Sequence, residues 1–88
     1  MELLDSPSEA AFRTEVRAWL ADHVPTDPLP SGDTKQGFAA HLDWERTLFD
    51  ARYAVVSWPE VYGGRDATLW ERLILEAEYY RAGAPPRA

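Results

Sequence analysis

The sequence contains no cysteine, and that absence excludes several kinds of chemistry. Without thiols the chain can form no disulfide framework, can hold no zinc ion through thiolates and can offer no sulfur nucleophile. Small secreted domains commonly need disulfides to be stable. We therefore expect a cytoplasmic protein.

Positive charge is also scarce. Nine Lys and Arg residues stand against 15 Asp and Glu residues, which gives a formal net charge of −6 at pH 7. A negative field of this kind disfavours binding to phosphate backbones and to anionic membranes. The segment Met1 to Asp5 carries acidic residues where a signal peptide begins with basic ones, and no stretch approaches the roughly 18 apolar residues of a membrane span. We expect neither a nucleic-acid partner nor a membrane span.

The side-chain combinations that would indicate a metal site or a catalytic site are missing as well. The two histidines, His23 and His41, lie in different predicted helices with no Glu-x-x-His spacing, so we expect structural roles for both. No serine stands in a Gly-x-Ser-x-Gly motif. The pair Gly63-Gly64 lacks the lysine of a phosphate loop and the third glycine of a dinucleotide loop, and indicates a turn with positive φ instead. We predict no catalytic residue and no metal ligand in the chain.

Glu76 and Glu78 are the remaining candidates for paired-carboxylate chemistry. Residues two positions apart on a helix point in different directions, which argues against a shared catalytic role. Arg72 precedes Glu76 by four residues, which is the spacing of a helical ion pair. We interpret the two glutamates as a solvated or ion-paired acidic patch.

With 88 residues, of which 45% are apolar and 27% charged, the chain is typical of one small globular domain, residues 1–88. Apolar residues recur at helical spacing in three segments, so the predicted fold class is all-α. The three amphipathic helices are expected near residues 7–24, 35–51 and 69–82. Two capping boxes mark helix starts, Ser6 with Glu9 and Thr68 with Glu71.

The connections between the helices differ in composition. Residues 25–34 hold three prolines and a glycine and are expected to form a loop. Residues 53–67 begin with a short apolar run, Tyr53 to Trp58, and continue through Pro59 and Gly63-Gly64. We predict a short extended segment here, followed by a turn.

The shared helical faces predict the core. We expect the most buried side chains to include Phe12, Val16, Leu20, Leu48, Phe49, Leu73 and Ala77. The apolar face of the third helix is wide and comprises Leu69, Trp70, Leu73, Ile74, Ala77 and Tyr80. This width, together with four tryptophans in so short a chain, indicates apolar surface that a small domain cannot hide by itself. We therefore expect a missing neighbour, and self-association of the isolated chain.

Three blocks of the sequence carry more specific motifs. They are Trp44 to Ala51 (WERTLFDA), Val56 to Arg65 (VSWPEVYGGR) and Leu73 to Pro86 (LILEAEYYRAGAPP). With these blocks, and above all with Ser-Trp-Pro-Glu-x-Tyr-Gly-Gly and Arg-Ala-Gly-Ala-Pro, the chain resembles the start of an acyl-CoA dehydrogenase. The resemblance includes the first helix and so extends over nearly all of the chain, but it covers only the first part of the family's length.

The resemblance implies the N-terminal helical domain of a FAD-dependent oxidoreductase of fatty acid metabolism, which removes hydrogen from the Cα–Cβ bond of an acyl-CoA thioester. In that family the flavin contacts and the glutamate base lie in later sequence. The 88-residue chain alone is therefore expected to bind no FAD and to be inactive. The implied partners are the remainder of the dehydrogenase or a partner dehydrogenase chain, an acyl-CoA substrate and electron-transfer flavoprotein.

The resemblance also implies a site at the end of the chain. In the family, the third helix of this domain and the turn after it approach the acyl end of the substrate cavity. By position, the wall of the substrate pocket is assigned to Gly83, Ala84, Pro85, Pro86 and Arg87.

Three positions depart from the family's pattern, because Arg52, Val55 and Asp66 stand where glycine is common. If the backbone at Arg52 is left-handed, the side chain there costs about 1 kcal/mol. The last residues, Pro85 to Ala88, match the turn before the family's next helix, which favours a fragment or a truncated or separately encoded piece of a dehydrogenase. The alternative is a stand-alone, non-catalytic helical module that binds a partner dehydrogenase chain.

Overall fold

The computed structural model describes residues 5–85. In that range it contains three α-helices, α1 (Pro7–His23), α2 (Lys35–Asp50) and α3 (Leu69–Arg81), and one short 3₁₀ helix, Glu60–Tyr62. No strand occurs among these described residues. The all-α prediction is confirmed, and each helix begins at the predicted residue and ends one residue before the predicted end.

Both predicted capping boxes form. The Ser6 hydroxyl accepts a hydrogen bond from the Glu9 amide at 3.2 Å, and the Glu9 carboxylate accepts one from the Ser6 amide at 3.0 Å. Thr68 and Glu71 make the same reciprocal pair at 3.1 and 2.8 Å. Each box satisfies two amides that would have no partner within the helix, so these residues determine where α1 and α3 begin.

α1 and α3 pack side by side, and α2 and the 53–67 connection close the rest of the core. The buried apolar side chains are Phe12, Val16 and Leu20 of α1, Trp44 and Leu48 of α2, Tyr53 and Val56 of the connection, and Ile74 and Leu75 of α3. The structure thus confirms the predicted burial of Phe12, Val16, Leu20 and Leu48.

The predicted burial of Phe49, Leu73 and Ala77 is wrong. Phe49 remains 46% exposed, Leu73 remains 43% exposed, and Ala77 is exposed as well. Phe49 lies against the turn after the 3₁₀ helix, where a Cβ on Gly63 would come within 2.5 Å of its ring. In α3, the face that carries Glu78 packs against α1, because the Glu78 carboxylate pairs with two arginines of that helix. Leu73 and Ala77 therefore remain on the exposed side.

The 53–67 connection folds as a series of turns around the 3₁₀ helix. The predicted extended segment is therefore corrected, while the predicted turn is present. The amides of Arg65 and Ala67 both donate to the Val56 carbonyl, at 3.0 and 2.9 Å. These two hydrogen bonds draw the ends of the connection together. The Trp58 amide donates to the Val55 carbonyl at 2.9 Å, which closes a turn inside the run that was predicted to be extended.

The Gly63-Gly64 pair meets two different needs of this turn. Gly63 has the positive φ that the sequence predicts, with a value of 93°. Gly64 is buried, and a Cβ there would lie 1.9 Å from the Trp58 carbonyl oxygen. A side chain at Gly63 would be strained by the positive φ and would have to displace the Phe49 ring, whereas one at Gly64 would require a shift of the backbone.

Candidate functional site

A cleft of about 860 Å³ runs between the turns that follow α2 and the C-terminal half of α3. Residues 53–58 form one wall of the cleft. The side chains of α3 that line it are Arg72, Leu75, Glu76, Tyr79 and Tyr80. Largely apolar clefts of this volume are typical of sites for small molecules. The cleft is therefore the candidate functional site of the described residues.

The turn after α3 borders the cleft. Gly83 and Ala84, which the resemblance assigns to the substrate-pocket wall, line it, and Pro85 next to them is buried. Gly83 has a φ of 68°, a left-handed conformation that ends the helix and turns the chain. The other two assigned residues, Pro86 and Arg87, lie outside the described residues.

A chain of hydrogen bonds joins this turn to α2. The indole Nε1 of Trp44 donates to the Tyr79 hydroxyl at 2.7 Å, and that hydroxyl donates to the Pro85 carbonyl. The Ala84 amide donates to the Tyr79 carbonyl at 3.2 Å. Sequence reasoning assigned neither Trp44 nor Tyr79 to the site. The signal that could have found them is chemical, since a buried indole or phenol must find a partner for its polar atom.

An ion pair lies at the exposed rim of the cleft. The Nε of Arg72 is 3.1 Å from the Glu76 carboxylate, and both side chains are more than half exposed. The predicted helical pair is therefore confirmed, and at this exposure it contributes less than about 1 kcal/mol of stability. Among residues 5–85 these are the charged side chains that line the cleft, so the described part of the lining presents no unpaired charge to a bound group.

Glu78 lies outside the cleft, where it joins α3 to α1. Its carboxylate is 4% exposed and accepts hydrogen bonds from Arg13 at 2.8 Å and from Arg17 at 3.0 and 2.9 Å. Arg13 also donates to Asp5 at 2.8 Å. The hydrogen bonds from Arg17 and Arg13 outweigh desolvation and lower the pKa of Glu78 to about 2. Of the two predicted alternatives, solvated or ion-paired, Glu78 is ion-paired, and the pairing takes place in the interface between two helices.

Tyr53, Glu15 and Arg65 form a second polar cluster, which fixes the 53–67 connection against α1. The Tyr53 hydroxyl donates to the Glu15 carboxylate at 2.6 Å, and Arg65 pairs with the same carboxylate at 2.8 Å. The Arg65 guanidinium also lies 5.2 Å from the Phe12 ring centre and 5.0 Å from that of Tyr53. Burial and the hydrogen bond to Glu15 raise the pKa of Tyr53 to about 12. The phenol is therefore a stable donor at neutral pH.

The two histidines have the structural roles that the sequence predicts. The His23 ring stacks on Trp19 with 4.2 Å between ring centres, and its Nδ1 lies 2.8 Å from the Trp19 carbonyl oxygen. The Nε2 of His41 lies 3.1 Å from the Pro30 carbonyl oxygen. Within residues 5–85, no three potential metal ligands come together. In the same range, no helix has the length and apolar character needed to cross a membrane.

The described residues that line the cleft can enclose a bound group, but they do not form a catalytic pair. The lining contains one serine and no histidine, so it offers no nucleophile with an imidazole base beside it. The walls can instead enclose an apolar group and set the space that it occupies.

Comparison with known proteins points to one family. A family model described as "Acyl-CoA dehydrogenase, N-terminal domain" matches residues 6–88. The chain is 32% identical to the acyl-CoA dehydrogenase IpdE1 of Mycobacterium tuberculosis and 33% identical to IpdE1 of Mycolicibacterium smegmatis, over 82 residues in each case. Each alignment covers 86% of this chain and 21% of the relative, so the chain spans about a fifth of the length of these curated proteins. No solved structure matches the chain significantly.

Proposed function

Since this chain belongs to the acyl-CoA dehydrogenase family as its N-terminal domain, we propose that it is part of a FAD-dependent enzyme that oxidises the Cα–Cβ bond of an acyl-CoA thioester. Within that enzyme the domain supplies a wall of the acyl pocket and packs against the rest of the protein. The observation that carries the proposal is the cleft, which borders the turn at Gly83 and Ala84 and, among its described lining residues, presents no unpaired charge. An acyl chain offers only apolar surface and requires such a lining.

The chemical step belongs to other parts of the enzyme. FAD supplies the hydride acceptor of the family's reaction, but the residues of this chain do not fit it. The sequence has no glycine-rich phosphate loop, and Arg72, the cation among the described residues that line the cleft, is paired with Glu76. Little remains to hold a pyrophosphate. The base and the flavin contacts therefore come from the remainder of the dehydrogenase or from a partner chain, and the electrons pass on to electron-transfer flavoprotein in the cytoplasm.

A chimera tests the proposal, with this chain in place of the matched N-terminal region of the Mycolicibacterium smegmatis relative. We expect the chimera to retain flavin and to oxidise an acyl-CoA, whereas the 88-residue chain alone stays colourless after gel filtration. A chimera that folds and holds flavin but oxidises no acyl-CoA would favour the stand-alone interaction module instead. Stoichiometric flavin on the isolated chain would contradict the assignment of the flavin site to other parts of the enzyme.

The substitution Ala84→Phe in the same chimera tests the wall. Ala84 lines the cleft, so a phenyl ring there should raise KM for a long acyl-CoA by about tenfold and leave KM for a short one nearly unchanged. Ala39→Phe, at an exposed position of α2 outside the cleft, is the control. Equal KM values for the two variants at both chain lengths would refute the assignment of the wall.

A further inference from the structure

We infer that Tyr79 is a positioning residue: its hydroxyl, held by Trp44, fixes the turn from Gly83 to Pro85 and thereby sets the shape of the cleft at that end. The effect on substrate selection rests on the proposed function. The positioning itself rests on geometry alone and can be tested without a substrate.

The direction of the hydrogen bonds is fixed by the chemistry of the three groups. The indole nitrogen of Trp44 can only donate, and the Pro85 carbonyl can only accept. The Tyr79 hydroxyl between them therefore accepts from Trp44 and gives its single proton to Pro85. Trp44 is buried, so its indole cannot exchange this partner for water without cost. The hydroxyl is thus held in one orientation, toward the turn.

Tyr79 holds the turn at two points, in addition to the backbone hydrogen bond from the Gly83 amide to the Tyr80 carbonyl at 3.1 Å and the packing of Ala84 against the core. A Cβ added at Gly83 would meet no atom within 4 Å, so Gly83 sits in open space. Pro85 has no amide and can be held through its carbonyl but not through a backbone donor. The Ala84 amide donates to the Tyr79 backbone carbonyl at 3.2 Å. Tyr79 therefore binds the turn twice, once through its backbone and once through its hydroxyl.

The same hydroxyl connects the cleft to α2. Among the helices of the described range, α1 and α3 pack closely, whereas α2 reaches α3 through the long side chain of Trp44. The Trp44 and Tyr79 ring centres lie 6.4 Å apart. A displacement of α2 would therefore reach the turn from Gly83 to Pro85 through this pair.

The test uses the ¹⁵N-labelled 88-residue chain carrying Leu69→Gln and Leu73→Gln, which remove apolar surface from the exposed face of α3 and so reduce self-association. Its four tryptophans give four indole N–H signals in an NMR spectrum. Tyr79→Phe should move the Trp44 signal upfield and leave those of Trp19, Trp58 and Trp70 in place. It should also make amide hydrogen exchange at Ala84 about fivefold faster, which corresponds to the loss of one ordinary hydrogen bond.

Two further variants complete the test. Trp44→Phe assigns the indole signal and should raise exchange at Ala84 in the same way, because it removes the donor that orients the hydroxyl. Tyr62→Phe removes a hydroxyl from an exposed tyrosine of the 3₁₀ helix, outside the cleft. It should change neither the Trp44 indole signal nor the exchange rate at Ala84. Unchanged exchange at Ala84 in Tyr79→Phe would overturn the inference. A uniform rise over all three helices would overturn it too, since that pattern reports a general loss of stability.

The chimera separates this inference from the proposed function. There, Tyr79→Phe should raise KM for a long acyl-CoA several-fold more than it raises KM for a short one. If exchange at Ala84 rises but KM does not, the positioning role is supported and the cleft is not the acyl site. That result would count against the proposed function alone.

Discussion

Arg52 and Asp66 adopt left-handed backbone conformations, with φ of 66° and 53°, whereas Val55 does not. The resemblance expects glycine at all three positions, and a side chain in this conformation costs about 1 kcal/mol. Arg52 offsets the cost, because its guanidinium donates to the carbonyls of Glu60 and Gly64 at 3.0 and 2.9 Å. The side chain thereby ties the end of α2 to the turn around the 3₁₀ helix.

Substitutions of Arg52 should therefore show an uncommon order of stability. We expect Arg52→Ala to be less stable than Arg52→Gly by about 1 kcal/mol, because both lose the hydrogen bonds but only glycine relieves the left-handed backbone. Urea unfolding at one fixed protein concentration, followed by circular dichroism, measures the difference. At Arg46, an exposed position inside α2, the order should reverse, since glycine within a helix costs about 1 kcal/mol relative to alanine. The same order at both positions would contradict the explanation.

At the scale of the elements, the contact between α1 and α3 depends on Glu78. We expect Glu78→Gln to lower the free energy of unfolding by about 1.5–3 kcal/mol, the range for hydrogen bonds to charged groups. Glu76→Gln, two residues away in the same helix but with a side chain 57% exposed, should lower it by less than about 0.5 kcal/mol. If the two substitutions lowered the free energy of unfolding equally in parallel experiments, burial of the Glu78 ion pairs would contribute nothing to stability.

The same carboxylate predicts a dependence on acid. The pKa of Glu78 is about 2 in the folded chain, below its ordinary value of 4.5. Its contribution is therefore complete above the ordinary pKa and is lost as the pH falls through the folded one; the shift corresponds to about 3 kcal/mol. Thermal melts over this pH range should show a shallower decline in Glu78→Gln. Some decline of the melting temperature should remain in Glu78→Gln, because Asp5 and Glu15, whose pKa values are also lowered, take up protons in both proteins. Parallel declines would argue against the role of Glu78.

The starts of α1 and α3 were predictable because capping is local. Ser6 with Glu9, and Thr68 with Glu71, act within four residues of each helix start, and a sequence displays such spacings directly. The buried face of α3 was not predictable in this way. Both sides of α3 carry apolar residues, and the contact that selects between them joins Glu78 to arginines 61 and 65 positions away. Periodicity within a helix contains no information about such a partner.

The candidate site likewise contains residues that the sequence could assign and residues that it could not. Gly83 and Ala84 were assigned to it by the resemblance, and they line the cleft. Tyr79 and Trp44 were not assigned, because their role arises only when α2 and α3 meet. Hydrogen bonds between side chains on different helices depend on the tertiary arrangement, which no short motif encodes.

On the scale of the whole molecule, the outer face of α3 remains uncovered. The exposed residues there are Leu69, Trp70, Leu73 and Tyr80. Covering one such side chain is worth about 1.5–3 kcal/mol. Ordering the chain costs about 1.5 kcal/mol per residue, and a core this small therefore leaves little net stability. A partner that covers this face would raise the stability of the fold.

We therefore expect the isolated chain to self-associate through this face, or to be partly molten when monomeric. Light scattering measures the association, and near-ultraviolet circular dichroism of the tryptophans measures the packing. The double substitution Leu69→Gln and Leu73→Gln should reduce association, whereas Val61→Gln, at an exposed residue of the 3₁₀ helix, should not. A sharp cooperative melt from a strict monomer at micromolar concentration would show that the three helices close their own core.

The pairing of α1 with α3 also limits when the protein can fold on the ribosome, because α1 cannot pack before α3 has been synthesised. α1 is synthesised before its partner, and the whole of residues 24–68 is made in between. At roughly 5–20 residues per second, this interval lasts a few seconds. Throughout it, Phe12, Val16 and Leu20 have no α3 to cover them. The nascent chain therefore presents an open apolar stripe to chaperones until translation reaches the last helix.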